Sequence, residues 1–501
     1  MQSVETTLRQ ASRQLAGGHA KAALSLLDDA LASRPGFPPL LSLKAVALLR
    51  DGQGEAALRQ AQAALEPQPD WPDGLANLGY VLFGLGRQAE AETALRRALA
   101  KDPKHEAAAL TLGHLLARAE RADEAVALLR GALAQRPQHP ALTYNLALAL
   151  KQSGRNDEAL QLFRELATAE PIHVEAANQA AALLLAVDQP AEALQLLDRA
   201  IARHPDHARS HNNRGTALRA LQRRDEARAA YRRSAELQPD RPDGWRNLGL
   251  LAADMDSLAE AAEAFRRALA LAPDDAVSGH MLDAVEGRTT AAPPEAFIVA
   301  SFDAYAPIFE RQLVERLGYR APWALAELAR RLRPEGRFET ALDVGCGTGL
   351  VAEAFGDSVA SWTGIDLAPR MLELAAQKKR YARLELSEAV AFLEKEPTRW
   401  DLVAAADLLI YLGDIAPLFA AAAARLTPEG LFLVSTERAL AEEGAFKLRS
   451  TGRYAQSDRH IAEIAQRSGL AVLAQEPTVL RQQHGADVAG TLFALTPGNL
   501  A

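Results

Sequence analysis

The chain has 501 residues, 49% of them apolar and 24% charged, enough for two or more separately cored domains. Its net charge of -8 lacks the basic footprint of a nucleic-acid binder, and its single cysteine, Cys346, excludes an intramolecular disulfide and any Cys-rich metal site. No apolar leader core opens it, and no run approaches the ~20 apolar residues of a membrane span. The expectation is a cytoplasmic protein with no membrane span, no nucleic-acid partner and no metal; the oligomeric state stays open.

The first half is periodic. Prolines stand at Pro35, Pro69, Pro103, Pro137, Pro171, Pro205, Pro239 and Pro273, each 34 residues from the last. Twelve positions before each lies an alanine, from Ala23 and Ala57 through to Ala261. A small residue recurring at one position marks where two antiparallel helices touch, and each proline ends a second helix. Stretches such as "LANLGYVL" and "WRNLGLLA" supply the first helix, with Gly79 and Gly249 at a further contact. Over roughly residues 4 to 275 this pattern resembles the tetratricopeptide repeat family, in eight units. The first two units match the first-helix pattern poorly, as terminal repeats do.

Such an array presents a concave face. Asn77, Thr111, Asn145, Gln179, Asn213 and Asn247 occupy one first-helix position in six consecutive units. The resemblance implies that this position faces the groove, where an amide can bond the main chain of an extended peptide. The competing reading is a set of amides bonded to neighbouring helices. A protein or peptide ligand in the groove is therefore the expected partner.

After Pro273 the period stops. "DDAVSGHMLDAVEG" reads as a capping helix and "RTTAAPPE" as a short Pro/Ala linker, so the expected boundaries are 1–275, 276–295 and 296–501. Apolar runs then alternate with helical ones: "TALDVG", "SWTGID", "ARLEL", "DLVAAAD", "GLFLVST", "LAVLAQE" and "GTLFALTP". That alternation predicts an α/β, doubly wound, mostly parallel sheet, with the last two strands short and forming an antiparallel edge. The whole chain is then an all-α solenoid followed by a seven-strand α/β domain.

Ligands of such sheets bind beyond the carboxyl ends of the strands. There, "ALDVGCGTGL" places Gly345, Gly347 and Gly349 in a turn that enters a helix. A dinucleotide fingerprint has two residues before its third glycine, and a phosphate loop ends in Gly-Lys-Ser/Thr; this turn has neither. Asp343 at its mouth is a poor neighbour for pyrophosphate and a good one for a sulfonium with a zwitterionic tail. Asp366, in "WTGIDLAP", ends the next strand, where a carboxylate accepts ribose hydroxyls. Together "DVGCGTG" and "GIDLAPRML" resemble the seven-strand S-adenosylmethionine-dependent methyltransferases, over Ala296 to Ala501.

That resemblance implies S-adenosyl-L-methionine as cofactor, held by Asp343, Gly345, Cys346, Gly347, Gly349, Asp366, Leu367, Met371, Glu388, Asp407 and Tyr305. Glu388 falls where the family often places an acid against the adenine amine. Tyr305 lies in the segment Phe302 to Pro322, which resembles a helix closing over the donor. "AADLLIYLGD" ends the fourth strand, so Asp407, Tyr411 and Asp414 are expected on the reaction side, joined by Arg453 and Tyr454. Tyr411, Asp407, Arg453 and Tyr454 are the candidate catalytic residues, with His460 and His484 weaker. "FDAYAPIFE", "YLGD" and "TGRYAQSDRHI" further resemble bacterial methyltransferases that carry their own tetratricopeptide repeats. Where that group commonly has a histidine, this chain has Gln456, so a base at that position is missing.

Chemistry narrows the acceptor. Cys346 lies inside the glycine turn and cannot attack a pyrimidine. No Asn/Asp-Pro-Pro-Tyr/Phe segment ends the fourth strand, which counts against adenine and glutamine amides, and the paired glutamates of an arginine methyltransferase are missing. An oxygen, amine or carboxylate acceptor remains. The expected function is methylation of a protein or peptide recruited by the groove; the alternative is a small-molecule methyltransferase whose repeats dock it to a complex.

Overall fold

The computed structural model describes residues 4–306, 309–334, 336–483 and 486–498. The chain divides into two compact units, residues 1–183 and 184–501. The last repeats therefore pack in one unit with the α/β half.

Helical hairpins run from Val4–Ala16 to Leu258–Leu271. Each 34-residue proline falls just beyond a second helix, as Pro69 does after Gly54–Leu65 and Pro205 after Pro190–Arg203. Proline cannot continue the hydrogen-bond ladder, so it sets the length of the unit. The repeating alanines Ala23, Ala57, Ala91, Ala125, Ala159, Ala193, Ala227 and Ala261 are all 0% exposed. Gly79 shows why the contacts stay small. A Cβ there would come within 2.5 Å of Leu95 and 3.3 Å of the Ala91 carbonyl.

The cap Ala276–Val285 starts at Asp275, whose carboxylate accepts from the Val277 and Ser278 amides. It shares a core with Ala261 and Phe265 of the last hairpin and Phe297 of the helix Glu295–Tyr305. The expected linker is not a loose tether. The Gly413 and Asp414 amides donate to the Ala291 carbonyl at 3.0 and 2.8 Å, and Lys447 Nζ donates to the Gly287 carbonyl at 2.8 Å. A Cβ on Gly413 would come within 2.5 Å of the Thr290 carbonyl, so only glycine admits this strap. These backbone groups find partners on the α/β half instead of water.

That half is built on β1 (Phe338–Val344), β2 (Val359–Asp366), β3 (Arg383–Leu386), β4 (Trp400–Ala405) and β5 (Leu426–Glu437). A small hairpin follows, β6 (Phe446–Leu448) with β7 (Tyr454–Gln456), and then β8 (Leu470–Gln483) and β9 (Ala486–Pro497). The sheet order is β3-β2-β1-β4-β5-β9-β8, parallel except where β9 pairs antiparallel with both β5 and β8. The order reverses between β1 and β4, which opens a crevice at their carboxyl ends. Helices on both faces explain why the strands read as continuous apolar runs. The antiparallel edge agrees with expectation, but β8 and β9 are long, 14 and 12 residues. Among the described residues no helix is long and apolar enough to cross a membrane.

Candidate active site

The glycine turn between β1 and the helix Leu350–Phe355 is left-handed at all three glycines, with φ of 69° at Gly345, 53° at Gly347 and 90° at Gly349. Side chains are strained there. A Cβ on Gly347 would meet nothing within 4 Å, so that glycine borders open space. Asp366 ends β2 and knits the turn together: one oxygen accepts from the Gly347 amide and the other from the Ala368 amide, both at 2.8 Å. Burial raises its carboxyl above the ordinary value, against the pull of those two bonds. A carboxylate has about four acceptor sites, so hydroxyl donors still find lone pairs on it.

Asp343 is fully buried one step before the turn. The Tyr381 hydroxyl donates to its Oδ2 at 2.6 Å, while Oδ1 is buried without a partner among the described residues. Burial pushes this carboxyl up to about 7; Tyr381 opposes the rise and Asp366 adds to it. An orphaned carboxylate oxygen beside a side-chain-free turn suits a ligand with a cationic or N–H-bearing end. The residues present therefore fit the sulfonium donor.

The comparisons with known proteins agree. Residues 315–475 match the family model described as "Methyltransferase domain", and tetratricopeptide repeat models match 72–105, 110–174, 150–212 and 212–276. The ubiquinone biosynthesis O-methyltransferase of Xylella fastidiosa is 34% identical over 116 residues, 22% of this chain and 46% of that protein. The chain thus spans less than half the length of that relative. Among solved structures, a thermophilic tetratricopeptide repeat protein from Thermus thermophilus is 26% identical, covering 36% of this chain and 98% of its own (TM-score 0.34). The N-methyltransferase NodS from Bradyrhizobium japonicum, in complex with S-adenosyl-L-homocysteine, is 22% identical and covers 35% and 85% (TM-score 0.29). This chain joins tetratricopeptide repeats to an S-adenosylmethionine-dependent methyltransferase domain.

Other expected donor contacts in the methyltransferase domain divide. Leu367 is half-buried beside Asp366, but Met371 is fully buried, packed with Ala306 and Ala368 beneath Phe302 and Phe309. These neighbours account for its burial as packing. Glu388 caps the helix Ala389–Lys395, its Oε2 accepting from the Ala391 amide at 2.7 Å. The capping bond spends that oxygen locally. Cys346 is buried, and burial holds its thiol well above the usual range, which removes any nucleophilic role. The side chain of Tyr305, and all of His484, lie outside the described residues.

The reaction side sits at the ends of β4 and β5. Asp407 is left-handed (φ 52°), held there by its amide donating to Ser435 Oγ at 2.8 Å. Ser435 Oγ returns a bond to Asp407 Oδ1 at 2.9 Å, and Arg481 Nη1 donates to Oδ2 at 3.0 Å. Burial raises the Asp407 carboxyl, with Arg481 and Ser435 opposing and Glu437 adding repulsion. Tyr411 ends a short turn, meets Phe302 edge-on at 5.2 Å and hydrogen-bonds Arg453. Asp407, Tyr411 and Arg453 are thus brought together.

Three other expected residues are not. Tyr454 is buried against Ala284, Leu448 and Phe446, and its hydroxyl bonds Thr290 Oγ1 at 2.5 Å. Arg453, just before β7, turns to Tyr411, whereas Tyr454 turns to Thr290. Asp414 is exposed and accepts from the Ala416 amide at 3.0 Å, starting the next helix. His460 has Glu463, Asp414 and Arg467 as its charged neighbours rather than Asp407, and burial lowers its pKa. Gln456 is fully buried and donates to the Leu412 and Gly413 carbonyls, so it clamps the loop after Tyr411.

Sequence reasoning missed Tyr319, Glu437 and Arg481, all buried. Tyr319 senses Asp407, Arg481, Asp343 and Tyr411, between the donor and reaction sides. The polar run "STE" closing β5 at the ligand edge of the sheet was a usable signal for Glu437. No local signal existed for Arg481.

The groove positions also resolve. Asn77 donates to Ser42 Oγ at 2.8 Å, Asn145 to the Ala141 carbonyl at 2.9 Å and Asn247 to Asn212 Oδ1 at 2.9 Å, while Gln179 accepts from Lys151 Nζ at 2.9 Å. These four side chains are already engaged inside the array. Thr111 and Asn213 are half-buried, like the others.

Proposed function

We propose that the chain methylates an oxygen or nitrogen of a small molecule and that its repeats dock it to a protein partner. The observation that carries the acceptor side is Asp407: a carboxylate at the carboxyl end of β4, one residue from Leu408, which itself packs over Gly345 of the donor turn. When bound, the donor supplies a methyl group carried on sulfur as a sulfonium. Asp343, Asp366 and the glycine turn would hold it. Asp407 is placed to take the proton that a hydroxyl or amine must lose. The Tyr411–Arg453 pair orients the acceptor, and Phe302 excludes water from above Tyr411.

Two considerations favour a small acceptor over a groove-bound peptide. Four of the six groove side chains already spend one hydrogen bond within the array, which leaves fewer donors and acceptors for a peptide main chain. The curated relative is named for an O-methylation in ubiquinone biosynthesis. The experiment is direct. The full chain is incubated with isotope-labelled S-adenosylmethionine and a cell lysate separated into a small-molecule filtrate and a protein fraction. Label in the filtrate, lost with Asp366→Ala, is the expected result. Label confined to protein would overturn the small-molecule reading in favour of a recruited polypeptide.

A further inference from the structure

Arg481 is the largest fully buried side chain among the described residues, at 2% exposure, yet it comes from the edge strand β8. An edge-strand arginine ordinarily points to water. Here the pairing of β8 with β9 slips between Val479 and Arg481, and both Leu480 and Arg481 are buried where strict alternation would expose one. A bulge of this kind re-aims a side chain and recurs beside active sites. The re-aimed guanidinium bridges two strand ends: Nη1 to Asp407 after β4, and Nη2 to Glu437 Oε1 at the end of β5. Its Nε is buried with no partner among the described residues.

The charge pattern extends outward. Glu437 faces Arg449 at 3.6 Å, and Arg449 bonds Glu443 at 2.8 Å. Asp407 therefore faces Ser435 and Glu437 on β5, Arg481 on β8, Arg453 just before β7, and Tyr319 and Tyr411 from the flanking segments. Two buried carboxylates share one buried guanidinium. It bonds both directly; Arg449 lies farther from Glu437, and Arg453 acts on the pair through its charge, so losing Arg481 would leave each charge less compensated away from water.

We propose that Arg481 is the positioning residue of the acceptor site: by bridging Asp407 and Glu437 it keeps a carboxylate facing the acceptor, so that the site takes a nucleophile bringing its own proton, a hydroxyl or an amine, and rejects a carboxylate. This rests on the methyl-transfer reading and narrows it. In the step so defined, the acceptor oxygen or nitrogen forms its bond to the methyl carbon as the carbon–sulfur bond breaks. The sulfur keeps that electron pair and becomes a neutral thioether, and the acceptor's proton passes to Asp407. A carboxylate acceptor would have no proton to give and would meet like charge.

The test uses the full chain and carbon-13 NMR of labelled aspartate carboxyls, with the Asp407 signal assigned by its loss in Asp407→Asn. Arg481→Leu should raise the Asp407 titration midpoint by more than about one pH unit, and Arg481→Lys by less, since it keeps the charge and loses the fork. Glu437→Gln should lower it, because Arg481 then serves Asp407 alone. If Arg481→Leu does not fold, the opposed shifts of Arg481→Lys and Glu437→Gln decide. An unmoved midpoint, or shifts of the same sign, overturns the positioning role. Binding of S-adenosylhomocysteine should change less than about two-fold in all three variants, as a separate check on the donor site. Labelled product from the lysate experiment is then treated with mild alkali. An ether or methylamine keeps its label; release of volatile methanol marks a methyl ester and overturns the acceptor class. If no product forms at all, the methyl-transfer reading fails while the titration still decides what Arg481 does.

Discussion

The repeat interior and the carboxyl edge of the sheet are both dry, but burial does opposite work in them. In the repeats it falls on alanine, leucine and a few aromatic side chains, and the charged groups stay outside as pairs such as Arg121 with Glu92 and Glu124. At the sheet edge it takes in Asp343, Glu437 and Arg481. The first arrangement removes apolar surface from water and sets helix spacing. The second costs stability and is tolerated where reactive charge is wanted. Stability and chemistry are thus segregated along the chain, and substitutions should separate them.

The largest expected effect concerns Asp343. Its folded value near 7, against 3.8 for the free side chain, means that the folded state holds this proton more tightly. Its contribution to stability is full below about pH 4 and is lost as the pH rises through 7, a swing of at most about 4 kcal/mol. Denaturant titrations at pH 5 and 8 should therefore show Asp343→Asn gaining on the parent at the higher pH. Equal differences at both would mean that burial does not raise the Asp343 carboxyl.

Asp366→Ala comes next. Losing a carboxylate that serves two ribose hydroxyls should weaken S-adenosylhomocysteine binding by roughly 2–4 kcal/mol by titration calorimetry, with Asp366→Asn milder. Unchanged affinity in both would retire the ribose assignment.

In the repeats, Ala159→Leu forces a large side chain into a fully buried contact and should cost about 1–3 kcal/mol of unfolding free energy. Because each repeat contacts only its neighbours, donor affinity should stay at the parent value. A joint loss of donor binding would break the proposed separation.

The smallest effect tests the strap. Thr290→Val removes the bond to Tyr454 and should cost about 0.5–1.5 kcal/mol. Amide exchange at Gly413 and Asp414, which bond Ala291, should quicken before any change in overall melting. No local change would leave the strap without influence on the reaction-side loop.

The sequence by itself determined whatever is written in local spacing. The 34-residue prolines, the alanine contacts and the glycine turn followed by Asp366 each depend on neighbours within one hairpin or one strand-turn-helix unit, so residue type and interval carried them. The five parallel strands were legible for the same reason, as buried apolar runs between helices. Tertiary structure alone decided where side chains point once distant segments meet. Tyr454 is turned to Thr290, and Met371 packs with Phe302, about 70 residues earlier in the chain. Arg481 reaches Asp407 only because a bulge turns an edge-strand residue inward, 74 positions away in sequence. No interval encodes such a contact; it exists when the antiparallel edge closes on the parallel sheet and leaves two buried acids in need of one cation.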